Sequence, residues 1–288
     1  MTRPSTFSIV AVDQEAGEFG VAVHSKFLAV GAIVPWARAG VGAVATQALA
    51  DVTLGSRGLD LLGQGVDPKA ALERLLAEDP TREHRQVGMV DASGRSASHT
   101  GSECFEWAGH QAGPGFVCQG NILAGPEVVG EMARAYEERS GMLAERLIDA
   151  LRAGQRAGGD RRGQESAALY VAKNGGGYGG NHDRYIDLRM DDHYEPIEEL
   201  ARILDLHRLY FGRASESEIV AADPELEREI EASLRSLGRM EDEKGLWASL
   251  FAYMAWENLE ERWAGDGRID PRVLDYLRAH SGGERSGR

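Results

Sequence analysis

The chain has 288 residues, 42% of them hydrophobic and 27% charged, which suits a globular protein with one large core and room for a small second domain. Acidic residues outnumber basic residues by 46 to 32, for a formal charge of -14. This excess argues against nucleic acid and anionic membranes as partners, because both are bound by clustered Lys and Arg.

The lack of a recognisable secretory signal and the small number of cysteines predict a cytoplasmic protein. Residues 1–13 lack the basic start and apolar run of a secretory signal, and no apolar run approaches the ~18 residues that span a bilayer. The two cysteines, Cys104 and Cys118, are expected to be buried thiols in a reducing compartment, although a bridge across a hairpin stays open.

The first part of the chain predicts antiparallel strands followed by a helical pair. Alternating apolar residues predict a hairpin on either side of the turn at residues 13–17, and two further strands near Leu28–Val34 and Val41–Thr46. Short connections between these strands favour antiparallel pairing. An apolar stripe at Gly58–Leu62 and a capped start at Asp67-Pro68 predict the two helices.

The same order of strands and helices then recurs up to about residue 210. The pattern predicts strands at Gln86–Asp91, Arg95–His99, Phe105–His110 and Gly115–Gln119, helices at Pro126–Glu138 and Met142–Gln155, strands at Ser166–Ala172 and Arg184–Leu188, and a helix at Pro196–Tyr210. Strand runs alternating with helical pairs predict an α+β fold of four layers, with two stacked antiparallel sheets between helical layers, an αββα sandwich.

The composition changes after residue 212. Only seven of the 36 glycines lie beyond Gly212, and Asp223-Pro224 and Asp270-Pro271 each have the form of a capped helix start. We therefore predict a main domain over residues 1–212 and a small helical domain over residues 213–288, with a frayed tail from about Ser281.

Thr6 is the first candidate for catalysis. The predicted hairpin brings its hydroxyl close to polar groups on the next strand, and a threonine at the start of a mature chain can use its own α-amine as the base. The alternative is that Thr6 is only a β-branched residue that opens a strand.

His24 and Lys26 have the same side-chain parity, so both are expected to face the same side. Lys26 could lower the pKa of a nucleophile and His24 could carry a proton. A polar strand end exposed to solvent explains them equally well.

Two polar segments could complete such a site. Asn121, in a Gly-flanked turn before a helix, could donate to an oxyanion, and Asp160 with Arg161, in a glycine-bounded loop, could orient a carboxylate or amide. Turn chemistry for Asn121 and a solvated loop for the charges are the alternatives.

The run from Asp187 to His193 contains the closest set of metal-ligand types in the chain. Consecutive carboxylates and a histidine can hold a divalent cation, but ligands normally converge from several elements. Capping of the following helix by Asp191 or Asp192 is the simpler interpretation, and we expect no metal and no cofactor.

Several segments, in this order, resemble the DUF1028 family of bacterial and archaeal proteins, which is assigned to the N-terminal nucleophile (Ntn) hydrolase superfamily. The resemblance covers about residues 6–210 and rests on TFSIVAVD, GVAVHSKFLAVGAIVPWARAGVGAVATQALAD, RQVGMVDASGR, TGSECFEWAGH, CQGNILAGPEVV and GGDRRGQESAAL. The segment from Trp256 to Arg278 is similar to a small C-terminal module named for peptidoglycan binding.

The resemblance implies an Ntn-like αββα fold and hydrolysis of a C–N bond in a small amide, ureide or peptide. It assigns Thr6 as the nucleophile and Lys26 as a nearby basic residue; Asn121 and Asp160 are polar members of the matching motifs, and Gln47 is assigned to substrate binding with Asp160 and Arg161. Many relatives begin M-T-x-S-I-V, whereas here Met1–Ser5 precede the threonine.

The leading hypothesis is therefore an amidohydrolase that forms a homo-oligomer and uses no cofactor. The rival hypothesis is a non-catalytic protein on the same scaffold that binds a small ligand or a peptidoglycan fragment. Metal-assisted hydrolysis at Asp187–His193 is a third.

Overall fold

A computed structural model describes residues 6–212 and 214–282 of the chain. Its contacts divide the chain into a first unit, Met1–Ile203, and a second unit, Leu204–Arg288. The sequence prediction placed the boundary after Gly212, at Arg213, which lies outside the described residues. Among the described residues, no helix has the length and apolar character needed to cross a bilayer.

The first unit is a mixed α/β structure with two antiparallel sheets. Its elements, in chain order, are β1 (Thr6–Asp13), β2 (Glu18–Ser25), β3 (Pro35–Arg38), β4 (Gly42–Ala48), α1 (Thr53–Gly63), α2 (Pro68–Ala77), β5 (Arg85–Asp91), β6 (Ser96–Thr100), β7 (Gly109–Gly113), β8 (Phe116–Asn121), α3 (Glu127–Glu138), α4 (Leu143–Arg156), β9 (Ser166–Lys173), β10 (Arg184–Met190) and α5 (Pro196–Phe211), which ends in the second unit.

The six-stranded sheet has the order β10-β9-β2-β1-β8-β7, and the four-stranded sheet has the order β3-β4-β5-β6. All these pairs are antiparallel. β1 and β2 are central and buried on both faces, so apolar side chains occupy nearly every position from Phe7 to Val12. Burial on both faces explains why the positions between the alternating large apolar residues are also mostly apolar.

Side chains from both sheets meet in one apolar cluster. Val10, Val23 and Val117 of the six-stranded sheet pack with Ala45 and Val90 of the four-stranded sheet. On its other face the four-stranded sheet packs against α1 and α2, whereas α3 and α4 contact strands of the six-stranded sheet. Each helix contributes an amphipathic stripe to these contacts, which is what its 3.6-residue periodicity predicts.

Two predicted strands are wrong. The segment predicted as a strand at Leu28–Val34 forms a turn and a short 3-10 helix, Val30–Ala32, because Ala29 has a left-handed φ of 53° and Val30 N donates to Ser166 Oγ at 3.1 Å. In the predicted strand Phe105–His110, only the end from Gly109 is a strand. The carbonyl of Phe105 instead accepts a hydrogen bond from Ile122 N at 3.0 Å.

The second unit is mainly helical, as the sequence predicted. It contains β11 (Val220–Ala221), α6 (Pro224–Ser236), α7 (Leu246–Trp256), β12 (Arg268–Ile269) and α8 (Pro271–Ser281). The predicted caps Asp223 and Asp270 both accept hydrogen bonds from backbone N–H groups of their helices. The antiparallel pairing of β11 and β12 was not predicted.

This unit contains a buried ion pair at the start of α8. Arg262 Nη1 lies 2.5 Å from Asp270 Oδ2, with side-chain exposures of 3% and 1%. Arg262 also donates to the backbone carbonyls of Arg208 and Leu209. The guanidinium therefore bonds to two carbonyls in the last turn of α5 and to the carboxylate at the start of α8. The prediction of a frayed tail falls mostly on residues 283–288, which lie outside the described residues.

Candidate functional site

Five polar residues converge at one end of the two sheets. β1 begins at Thr6, β2 ends at Ser25, β8 ends at Asn121, Gln47 lies one residue before the end of β4, and Gln86 is the second residue of β5. Antiparallel pairing brings these strand ends to the same end of each sheet. We call these five residues the site edge.

Thr6 lies between two polar neighbours in the central strand. Its cross-strand partners are Ser25 on β2 and Asn121 on β8. The Thr6 Oγ1 and Ser25 Oγ atoms are 3.1 Å apart and share a hydrogen bond, and the Thr6 carbonyl accepts from Gln47 Nε2 at 3.3 Å. The residue is 2% exposed. Thr6 therefore lies in a buried but polar environment.

Gln86 is the central amide of the site edge, and its side chain lies within hydrogen-bonding distance of five polar groups. Its Oε1 accepts from Gln47 Nε2 at 2.8 Å and from Asn121 Nδ2 at 3.1 Å. Its Nε2 lies 3.0 Å from Thr100 Oγ1 and 3.1 and 2.8 Å from the carbonyls of Gly109 and Gly120, so its two protons are shared among three acceptors. These bonds fix the orientation of the Asn121 amide beside Thr6.

A second layer of polar groups lies behind Thr6, between the sheets. Ser8 Oγ donates to Gln47 Oε1 at 2.6 Å, and Gln119 Nε2 donates to Ser8 Oγ at 3.4 Å and to Ala45 O at 3.2 Å. Gly88 leaves room for this contact, because a Cβ there would lie 2.9 Å from Gln119 Oε1. The sheets are therefore joined by hydrogen bonds as well as by apolar packing.

His24 does not lie beside Thr6. Its register partner is Phe7, and the two rings pack with centroids 4.7 Å apart on the face of the six-stranded sheet opposite to Thr6. This face is the one that packs against α4: a Cβ built on Gly154 of α4 would lie 3.3 Å from Phe7 Cε2. The sequence prediction placed His24 within reach of the nucleophile, and the alternation of side chains along β2 separates them.

Burial lowers the pKa of His24 to about 4, and the Asp160 carboxylate acts in the opposite direction. Neither ring nitrogen has a hydrogen-bond partner among the described residues. In the unfolded chain the pKa is about 6.5, so between about pH 6.5 and pH 4 the unfolded state binds a proton that the folded state does not. The neutral form thus contributes stability that is complete above about pH 6.5 and is lost as the pH falls.

We expect the wild-type first unit to lose about 2–3 kcal/mol of unfolding free energy between pH 7 and about pH 4.5 through His24 alone. A His24→Leu variant should lose that part of the pH dependence, as measured by urea unfolding at both pH values. The exposed His182 offers a control, and His182→Leu should keep the wild-type dependence. An unchanged pH dependence in His24→Leu would show that His24 titrates normally.

Lys26 and the loop that contains Asp160 are joined by hydrogen bonds and an ion pair. Lys26 N donates to Asp160 Oδ2 at 3.0 Å, and Lys26 Nζ lies 2.9 Å from Glu165 Oε2 and donates to the Gln164 carbonyl at 3.1 Å. Asp160 also accepts from the backbone and side chain of Arg162. Asp160, predicted to contact substrate, is therefore buried and fully engaged in fixing its loop.

Arg161 and Gln47 complete the predicted substrate-binding set. Arg161 is exposed, and its backbone N donates to the Ile122 carbonyl at 3.2 Å, one residue beyond Asn121. Gln47 is 1% exposed and engaged with Thr6, Ser8 and Gln86. Of this set, Arg161 alone reaches the surface next to the site edge.

Three of the four non-glycine residues with left-handed backbone, among those that the structure describes, lie near the site edge. Ala29, Ala48 and Ile122 have φ values of 53°, 68° and 56°. They lie just beyond Lys26, Gln47 and Asn121 along the chain. A β-branched residue such as Ile122 rarely adopts this conformation, and strained backbone of this kind tends to occur at functional sites.

The segment from Asp187 to His193 does not gather metal ligands. The Asp187 carboxylate pairs with Arg184 at 3.0 Å and with Arg189 at 3.2 Å. Across residues 6–212 and 214–282, no three His, Cys, Asp or Glu side chains converge on one point. Both cysteines are free thiols; Cys118 is buried, as predicted, whereas Cys104 is half-buried, and desolvation raises the pKa of Cys104 to about 11.

The sequence analysis assigned no site role to Gln86 or Gln119. Gln86 could have been identified because it precedes the apolar residues of the strand QVGMVD. A buried amide without a hydrogen-bond partner would lower the free energy of unfolding. Only the pairing between sheets reveals its partners.

The fold and the site together define a two-sheet α/β protein with a small helical second unit. Buried hydroxyl and amide groups form a hydrogen-bond network at one end of the two sheets. The chain belongs to the DUF1028 family: the family model, described as "Family of unknown function (DUF1028)", matches residues 6–200. The resemblance of the sequence to the DUF1028 family is therefore confirmed. A second model, described as "Putative peptidoglycan binding domain", matches residues 210–277.

A solved structure is similar to the chain. The crystal structure of protein SPO2555 from Silicibacter pomeroyi, a DUF1028 protein, is 30% identical, with a TM-score of 0.65. The similarity covers 71% of this chain and 86% of that chain. No curated protein matches the sequence.

Proposed function

We propose that the chain is an amidohydrolase in which Thr6 is the nucleophile, built on the four-layer αββα arrangement of Ntn hydrolases. The observation that carries this proposal is the position of Thr6 at the start of the central strand, with Ser25 and Asn121 as its two neighbours. The family match also begins at Thr6. A hydroxyl among buried hydrogen-bond donors is the arrangement that nucleophilic catalysis requires.

The base in this proposal is the α-amine of Thr6, released when Met1–Ser5 are removed. An α-amine has a pKa near 8 and can accept a proton at neutral pH. His24 packs against Phe7 on the opposite face, and Lys26 is paired with Glu165. The proposal therefore assigns the role of base to neither residue. Ser5 lies outside the described residues, and the cleavage is part of the proposal.

Each chemical step then has an assigned group. Thr6 Oγ1 attacks the carbonyl carbon while its proton passes to the α-amine, and the oxyanion is stabilised by the Asn121 amide that Gln86 orients. The C–N bond breaks as the ammonium returns the proton to the leaving nitrogen. Water then hydrolyses the threonine ester, releasing a carboxylic acid and restoring the hydroxyl.

N-terminal chemistry tests this maturation directly. Intact mass should show loss of Met1–Ser5, and periodate should cleave the 1,2-amino alcohol of an N-terminal threonine to an aldehyde after denaturation. Thr6→Ala should give no aldehyde, and Thr6→Ser should give one if it is also processed. An active enzyme that keeps Met1–Ser5 would remove the α-amine from the mechanism.

The second candidate is binding of a peptidoglycan fragment by the second unit, without catalysis. The match at residues 210–277 favours it, as do two cavities of about 560 and about 440 Å³ that share Phe251 and Trp263. These rings pack edge to face with centroids 5.2 Å apart, and aromatic surfaces commonly line ligand sites.

Calorimetry with defined muropeptides on the full chain tests this candidate. Binding should weaken about tenfold in Phe251→Ala, because the ring lines both cavities. Trp256→Ala removes an exposed ring that lines neither cavity and should bind like the wild type. Absence of muropeptide binding to the wild-type chain would reject the candidate.

A further inference from the structure

Three basic residues lie together at the site edge, and two of them are neutralised. Lys26 Nζ lies 2.9 Å from Glu165 Oε2, and Arg162 Nη2 lies 3.2 Å from Asp160 Oδ2. Arg161 makes no side-chain hydrogen bond or ion pair with any residue that the structure describes. One guanidinium is therefore left without a counter-charge beside the strand ends.

The backbone places Arg161 next to the proposed reaction centre. Its N–H donates to the Ile122 carbonyl at 3.2 Å, and Ile122 follows Asn121, the register partner of Thr6. The carboxylate of Asp160 accepts hydrogen bonds from Lys26 N and from Arg162, so the loop that carries Arg161 is held at this position. The root of the side chain is thus fixed while its guanidinium remains exposed.

The neighbouring carboxylates do not compensate this charge. Asp160 and Glu165 are engaged by Arg162 and Lys26. Asp191 lies closer, because its carbonyl accepts from Ala29 N at 3.0 Å, but neither Asp191 nor Asp192 forms an ion pair with Arg161 among the described residues. In a chain with a formal charge of -14, a positive group left unpaired at this edge suits an anionic ligand.

We propose, on the basis of the hydrolase function above, that the substrate is an amide that carries a carboxylate, of the N-acyl amino acid type, and that Arg161 binds this carboxylate. A guanidinium presents its donors in a planar fork that matches a carboxylate with two parallel hydrogen bonds. Arg161 would hold the anionic end of the substrate while Thr6 reacts with the amide carbonyl. Arg161 thereby selects carboxylate-bearing amides over neutral ones.

Binding of matched compound pairs tests this assignment without requiring turnover. The pairs are N-acyl amino acids and the same compounds with a primary carboxamide in place of the carboxylate. Thermal shift on the full chain identifies compounds that bind, and calorimetry measures their affinity for the wild type, Arg161→Gln and Arg161→Lys. Arg74→Gln is the control, because Arg74 is also exposed and has no ion pair within the described residues, but lies on α2.

Carboxylates should stabilise the wild type and their carboxamides should not. Arg161→Gln should weaken carboxylate binding by about tenfold to a hundredfold, Arg161→Lys should weaken it less, and Arg74→Gln should leave it unchanged. Equal binding of both members of a pair, wild-type affinity in Arg161→Gln, or no stabilisation by any carboxylate would overturn the assignment. Carboxylate binding that depends on Arg161 without any turnover would reject the hydrolase and leave the assignment standing.

Discussion

Thr6→Ala should abolish amide hydrolysis, with kcat/KM falling by about a thousandfold or more. The substitution removes the only atom that can form the ester in the proposed mechanism, and it leaves the register of β1 with β2 and β8 in place. The measurement is steady-state hydrolysis of small amides, ureides and N-acyl amino acids that the wild-type chain cleaves, compared at equal enzyme concentration.

Thr6→Ser is the matched variant, because it keeps the Oγ and the hydrogen bond to Ser25 while losing one methyl group. We expect it to retain measurable activity, reduced by less than about a hundredfold, because the nucleophile persists. Thr6→Ala must also be shown to unfold at the wild-type urea concentration. A folded Thr6→Ala variant with wild-type kcat/KM would refute the assignment of Thr6 as the nucleophile.

Gln86→Leu should destabilise the first unit by about 3–5 kcal/mol, as measured by urea unfolding. Leucine has a similar volume but leaves the amides of Gln47 and Asn121 and the Gly120 carbonyl without the partner that they share. Each buried polar group left unpaired costs about 1–3 kcal/mol, and relaxation of the neighbours recovers part of the sum.

Gln111→Leu, on the exposed part of β7, is the control and should change stability by less than about 0.5 kcal/mol. Because Gln86 also orients Asn121, the variant should lower kcat more than it raises KM under conditions where it remains folded. A stability change in Gln86→Leu as small as that in Gln111→Leu would mean that the amide network does not hold the sheets together.

Local patterns predicted much of the fold. Period-two alternation located β1 and β2, and Asp-Pro pairs located the starts of α2, α6 and α8, because a side-chain cap and a proline at the first helical turn act within a few residues. Leu28–Val34 was missed because the bend at Ala29 is stabilised by Ser166, which lies far away in sequence. Apolar composition alone does not distinguish a buried strand from a buried turn.

The candidate site was predictable in its residue types but only in part in its geometry. Thr6 and Asn121 were identified, and the structure makes them cross-strand partners. His24 was wrongly assigned to the same cleft as Thr6. Alternation along one strand predicts which of its residues share a face, but the register with the neighbouring strand decides whether that face is the one that carries Thr6. Gln86 was missed because its partners come from β4, β6, β7 and β8, and such pairings are not visible in local sequence.

Covalent trapping at Thr6 is the most direct measurement of the central claim. A β-lactone probe reacts with a nucleophilic hydroxyl: the new ester bond forms as the ring C–O bond breaks, and the hydroxyl proton passes to the released alkoxide. After tryptic digestion, the label should lie on Thr6 in the peptide ending at Lys26 and should be absent from Thr6→Ala. Labelling confined to Ser8 or Ser25, or equal labelling of Thr6→Ala, would contradict the account.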